Sequence, residues 1–86
     1  MRLDYTDRFL RAYAALDDQD VERVKKALRL LVENPRHPSL RVKRVQGTDH
    51  IWEARASLAI RLTFEMQGDL LVLRNVGAHD ETLKKP

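Results

Sequence analysis

Between Asn34 and Thr48 the chain carries no acidic residue, yet Arg36, Arg41, Lys43 and Arg44 all fall there, with His37 among them. Such a run has the chemistry of a phosphate-binding strip, because each cation that neutralises a phosphate releases a counterion. It has equally the chemistry of a solvated strand edge, where Lys and Arg discourage unwanted pairing. A second charged set follows. Glu53, Arg55 and Arg61 come to one side of a sheet if the two segments that carry them pair as a hairpin with their apolar residues together, since alternate residues of a strand share a face. One carboxylate among guanidiniums can form an anion site, or it can be the wet side of a sheet. His37, His50 and His79 show no ligand spacing, and there is no cysteine to supply a thiolate, so no metal and no disulfide is expected.

The elements that would position these groups are legible from periodicity. Thr6 and Asp7 start a helix in which Phe9, Leu10, Tyr13 and Leu16 recur at helical spacing, predicting a helix over residues 6–16. Asp17 and Asp18 can cap a second over residues 19–33, with Val21, Val24, Leu28 and Leu31 on one side and Glu22, Arg23, Lys25, Lys26 and Arg29 on the other. Asn34 and Pro35 end it, because a residue before proline is pushed out of the α region. The short link between the two predicts an antiparallel helical hairpin. After Pro38 the period changes. Leu58, Ile60, Leu62, Phe64 and Met66 alternate with Ala59, Arg61, Thr63, Glu65 and Gln67, the clearest strand in the chain. Gln67, Gly68 and Asp69 turn it back into a partner strand from Leu70 to Val76. Strands are also expected at Leu40 to Val45 and Ile51 to Ala56, with Arg2 to Tyr5 as an added edge. The expectation is an α+β domain: the N-terminal helical hairpin on one face of a small antiparallel sheet of about four strands. Trp52, Leu62 and Phe64 should be buried together.

At 86 residues the sequence has room for one domain over residues 1–86 and one modest core, since a chain this small buries only about two thirds of its unfolded surface. With 43% hydrophobic and 34% charged residues it belongs to the folded class. Its apolar runs are far below the roughly 18 residues of a membrane span, and Arg2 and Asp4 stand where a signal peptide would be turning apolar. No membrane partner and a cytoplasmic location are therefore expected. The net charge of +3 is by itself only a weak pointer to nucleic acid.

Four segments in order carry a resemblance: N-P-x-x-P-S-L-R-V-K from Asn34 to Lys43, I-W-E-A-R from Ile51 to Arg55, R-L-T-F from Arg61 to Phe64, and V-G-A-H-D-E-T-L from Val76 to Leu83. Together with the helical hairpin they resemble the RelE/ParE toxin superfamily over nearly the whole chain. The resemblance implies a toxin that holds messenger RNA in the ribosomal decoding site and cuts it without metal or other cofactor. A cognate antitoxin protein would wrap and silence it. By resemblance Arg61 opens the family's R-L-x-F/Y run and His79 occupies the catalytic or RNA-contacting position after V-G-x. Arg41, Lys43 and Arg44 correspond to the basic, RNA-binding strand before W-E-x-R, and Glu53 and Arg55 to the charged positions of that run.

Metal-free RNA cleavage needs a proton removed from the 2′-hydroxyl, charge stabilised on the phosphate, and a proton given to the departing 5′-oxygen. Arg61 suits the second task. His79 suits the third, or the first if the geometry is reversed, and Glu53 can take the 2′-hydroxyl proton or orient Arg55. Truncating Arg61 or His79 should leave folding largely intact, each being expected away from the helix-facing core. The chain departs from many relatives at Leu83 and Ala78, where those carry a tyrosine and a lysine or second histidine. Two further readings share the fold: a ParE-like inhibitor that blocks DNA gyrase by binding, and an antitoxin-binding member without activity.

Overall fold

Both helices start where the sequence places their caps. In the computed structural model, which describes residues 1–86, the Thr6 hydroxyl accepts from the Phe9 N–H at the start of α1 (Asp7–Ala14). The Asp17 carboxylate accepts from the Asp20 N–H at the start of α2 (Asp18–Glu33). Each satisfies one of the N–H groups that a helix start leaves unpaired, a contribution of about 1 kcal/mol. Asn34 closes α2 in an extended conformation, as the following proline requires. Neither helix is long and apolar enough to cross a membrane.

Five strands follow the helices or flank them: β1 (Arg2–Tyr5), β2 (Lys43–Arg44), β3 (Trp52–Arg55), β4 (Ile60–Gln67) and β5 (Leu70–Ala78), in the sheet order β1-β5-β4-β3-β2. The sheet is not the four-stranded antiparallel one expected. β1 is a full fifth strand and runs parallel to β5. Residues 6–69 lie between these two strands, so α1 and α2 belong to the long crossover that a parallel pair needs. The other pairings are antiparallel. β4 turns into β5 through Gly68, whose φ of +61° suits a glycine in a tight hairpin.

Phe9, Val24, Ala27 and Leu31 of the helices meet Leu62, Phe64, Leu71 and Leu73 of the sheet in one core. Each large side chain so buried contributes about 1.5–3 kcal/mol. The alternation read from the sequence holds for Ile60, Leu62 and Phe64 and fails at both ends of its range. Leu58 is 81% exposed because residues 56–59 form the bend before β4, and Met66 lies exposed beyond the core. Trp52 pairs with Phe64 but sits at the margin, only half-buried. The expected strand over residues 40–45 shrinks to Lys43–Arg44. A 3-10 turn, Pro38–Leu40, occupies its start, and Arg41 ends that turn with a left-handed φ of 47°.

One element escaped the sequence altogether. The region around His79, to which the sequence pattern assigns no element, is helix α3 (His79–Lys84). It lies on the sheet face opposite the core, which makes that face partly buried as well. Thr82 is buried, and a Cβ on Gly77 would stand 3.0 Å from its hydroxyl oxygen, so the glycine permits the close approach. Beyond the helix, the Thr63 hydroxyl donates to the Pro86 carbonyl at 2.9 Å and the Asn75 amide to that of Lys85 at 3.1 Å.

Candidate functional site

The register of β2, β3 and β4 decides which charged groups share a face. Lys43 stands opposite Glu53, Glu53 opposite Thr63, and Arg55 opposite Arg61. Cross-strand partners point the same way, so Lys43, Glu53, Arg55 and Arg61 lie together on the face away from the core, as parity predicts. Arg44 stands opposite Trp52 and belongs to the other face. The basic strip therefore divides.

Arg61 is not a free guanidinium. Its Nη1 lies 2.8 Å from the Ser57 carbonyl, 3.1 Å from that of Leu58 and 3.3 Å from that of Ile60. Its Nε stands 3.9 Å from Glu53 Oε1, the two side chains being 8% and 7% exposed. The residue thus ties the β3–β4 bend to a buried carboxylate. Burial lowers its pKa, the positive charges of Arg55 and Arg41 lower it further, and Glu53 opposes them. An arginine keeps its charge through such a shift. The consequence is a concentration of positive charge around Arg61, from Arg55 on the same face and from Arg41 nearby, with Glu53 as the carboxylate paired to it.

His79 opens α3 beside that cluster. Its backbone N–H donates to the Ala59 carbonyl at 2.8 Å, holding the start of α3 against the β3–β4 bend. Its half-exposed ring places Nδ1 2.9 Å from Asp80 Oδ1. A carboxylate at Nδ1 holds the proton there and leaves Nε2 for chemistry. Arg61 and His79 line one open cleft of about 480 Å³, with Leu58, Ala59 and Asp80. Asp80 is not among the site residues expected from the sequence, where it reads only as a charge that would discourage RNA; its adjacency to His79 is the signal for an orienting role.

Arg41 holds a conformation that costs a non-glycine residue about 1–2 kcal/mol. Arg41→Gly is accordingly expected to leave the melting temperature unchanged or slightly raised, while lowering affinity for any polyanion that Arg41 contacts. Parallel melts and binding titrations check it, and a destabilised glycine variant would show that the backbone is not strained there. Elsewhere on the same sheet face, Glu65 Oε1 receives both His50 and Arg74, each at 3.0 Å. His37 is engaged locally, with Nδ1 2.8 Å from the Ser39 hydroxyl. No three His, Asp or Glu side chains converge as metal ligands would.

Two helices on one face of a mostly antiparallel sheet, with a cleft where a short third helix meets the opposite face, make up an architecture that matches solved RelE-like toxins of toxin–antitoxin systems. The chain has that fold. It superposes on YafQ from E. coli BL21(DE3) with a TM-score of 0.79 at 17% identity, covering 94% of this chain and 97% of that one. The YoeB/ParE toxin from Agrobacterium tumefaciens gives 0.76 at 18%, covering 92% and 99%. The intact E. coli RelBE toxin–antitoxin complex gives 0.71 at 22%, covering 90% and 94%. No protein-family model matches the sequence, and no curated protein matches it.

Proposed function

We propose that this chain is the toxin of a type II toxin–antitoxin pair and that it binds ribosome-associated messenger RNA and cuts it without metal. The observation that carries the reading is the cleft shared by Arg61 and His79, with Arg55 and Lys43 on the same sheet face. In the cut, the 2′-oxygen attacks phosphorus, the bond to the 5′-oxygen breaks, and a 2′,3′-cyclic phosphate and a free 5′-hydroxyl result. His79 Nε2 gives the departing oxygen its proton while water in the open cleft accepts that of the 2′-hydroxyl; in the reversed geometry His79 is the base. Arg55, half-buried, takes the phosphate oxygens, and the buried Arg61 adds its field from beneath. Glu53 is too enclosed to exchange a proton with RNA and serves to orient Arg61. RelE is solved in complex with its antitoxin, which supports an antitoxin as partner here.

A second reading has an observation of its own. Arg61 is committed to backbone carbonyls, and Asp80 and Glu81 rim the cleft, which suits a toxin that binds a protein such as gyrase better than one that holds RNA. The test sets the two side by side: purified chain is added to ribosomes on a defined messenger and, separately, to a gyrase supercoiling reaction. New RNA ends with undisturbed supercoiling are expected. Lost supercoiling with intact RNA would overturn the nuclease reading.

The divided strip supplies an internal control. Lys43→Ala and Arg55→Ala should each weaken RNA binding and flatten its salt dependence by about 0.7 in the log–log slope for each phosphate no longer neutralised. Arg44→Ala, on the other face, should change neither. Anisotropy titrations over a salt series measure this, and equal losses from all three would make the basic strip a diffuse field rather than a face.

A further inference from the structure

On the core side of the sheet, at its edge, lies a pocket of about 580 Å³ that the cleft chemistry does not use. Trp52, Val42 and Met66 form its apolar wall with Pro38, and Arg36 and Arg41 stand at its rim. We infer that this pocket docks an acidic peptide segment of a protein partner, one apolar side chain entering the pocket and flanking carboxylates meeting the two arginines.

The occupant follows from what the wall offers. The volume falls in the range of about 300–1,000 Å³ that ligand pockets take. Met66 is 40% exposed although it continues the buried series of β4, so an apolar surface is left open at this point. A thioether wall adapts to varied side chains, a property of surfaces that bind peptides. The prolines hold the opposite side rigid. Every charged group at the rim is basic, His37 lying with Arg36 and Arg41 and no carboxylate among them. The rim therefore selects a negatively charged visitor. A nucleic acid is negatively charged too, but the wall of Trp52, Val42, Met66 and Pro38 is apolar and favours an aliphatic or aromatic side chain over a polar base edge. Trp52 is moreover packed against the core, with its face only partly free for stacking.

By strand parity the pocket is on the opposite side of the sheet from Arg55 and Arg61, so its occupant need not displace RNA from the cleft. Naming that partner as the antitoxin rests on the toxin reading above. The chemistry of the pocket does not.

Trp52 is the single tryptophan of the chain, so its emission reports occupancy directly. The probe is the blocked peptide acetyl-EELFEE-amide, with acetyl-QQLFQQ-amide, acetyl-EEAAEE-amide and hexauridylate as controls. A saturable change in Trp52 emission is expected with the first peptide. The uncharged control should bind about two- to fivefold more weakly for each rim arginine it leaves unpaired, and the one without apolar anchors about tenfold more weakly or worse. Met66→Glu should abolish the response, Met66→Ala should weaken it, and Arg36→Ala should weaken it about two- to fivefold. Thermal melts accompany each variant, and Met66→Ala keeps the test open should the charged substitution fail to fold. No saturable change with the acidic peptide, or a response to hexauridylate that Met66→Ala weakens, would overturn the proposal. RNA cleavage measured separately stands or falls independently of either outcome.

Discussion

Replacing His79 by alanine is expected to slow cleavage of ribosome-bound messenger RNA by a factor of about 10² to 10⁴, the usual worth of a positioned proton-transfer group. The expectation rests on geometry. His79 Nδ1 faces Asp80 Oδ1 at 2.9 Å, which leaves Nε2 as the ring atom open to a substrate in the cleft beside Arg61. The fold should be almost indifferent to the change. The ring is half-exposed, so its loss opens no cavity, and the bond that anchors the start of α3 uses the backbone N–H of His79, which alanine retains. Stability should stay within about 0.5 kcal/mol of the parent. Asp80→Asn should cost less than His79→Ala, because it disturbs the orientation of the imidazole without removing it. Single-turnover cleavage with matched melts measures all three proteins. Equal rates for parent and His79→Ala would remove His79 from the mechanism, and loss of rate together with loss of fold would make its role structural.

How much of this could be read from the sequence depended on how local the cause was. The caps at Thr6 and Asp17, the end of α2 before Pro35 and the alternation of Ile60, Leu62 and Phe64 are each set by residues within a few positions, and each appears where the pattern puts it. The common face of Glu53, Arg55 and Arg61 follows from strand parity once β3 and β4 pair. What was hidden is nonlocal. The parallel pairing of β1 with β5 joins residues at the two ends of the chain, and nothing near Arg2 announces it. α3 is six residues long, too short for helical periodicity to stand out. Its position over Gly77, with Pro86 beyond it bonded to Thr63, nevertheless turns the outer sheet face from a solvated surface into a partly covered one. The proximity of His79 to Arg61 depends on that same helix, so the resemblance supplied the two residue names and the fold supplied the cleft between them.

The burial of Arg61 reverses one expectation, and with it the meaning of an experiment. Truncation of a residue on a solvated face would be harmless, but Arg61→Ala should destabilise the protein by about 3–5 kcal/mol, the cost of breaking a buried ion pair by removing one partner. Glu53 would be left buried without its counter-charge, and the carbonyls of Ser57, Leu58 and Ile60 would lose the donor that gathers them at the bend. In a domain of this size each kcal/mol moves the melting midpoint by about 4–8 °C, so the midpoint should fall by more than about 10 °C. Replacing both partners with apolar residues, Arg61→Met with Glu53→Leu, should recover much of the loss, because no unpaired charge then remains inside. The coupling between the two positions is read from the double-mutant cycle, with denaturant unfolding of all four proteins. Strict additivity, or an Arg61→Ala variant that melts with the parent, would show that the pair does not hold the bend. Given the expected coupling, absent cleavage in Arg61→Ala is not evidence of lost transition-state stabilisation, because the cleft wall itself would be loosened. Arg55→Ala is the cleaner probe of phosphate binding: Arg55 stands opposite Arg61 on the same face and is half-buried. Its removal takes away a competing positive charge that lowers the pKa of Arg61, so RNA binding should weaken while the β3–β4 bend keeps its fold.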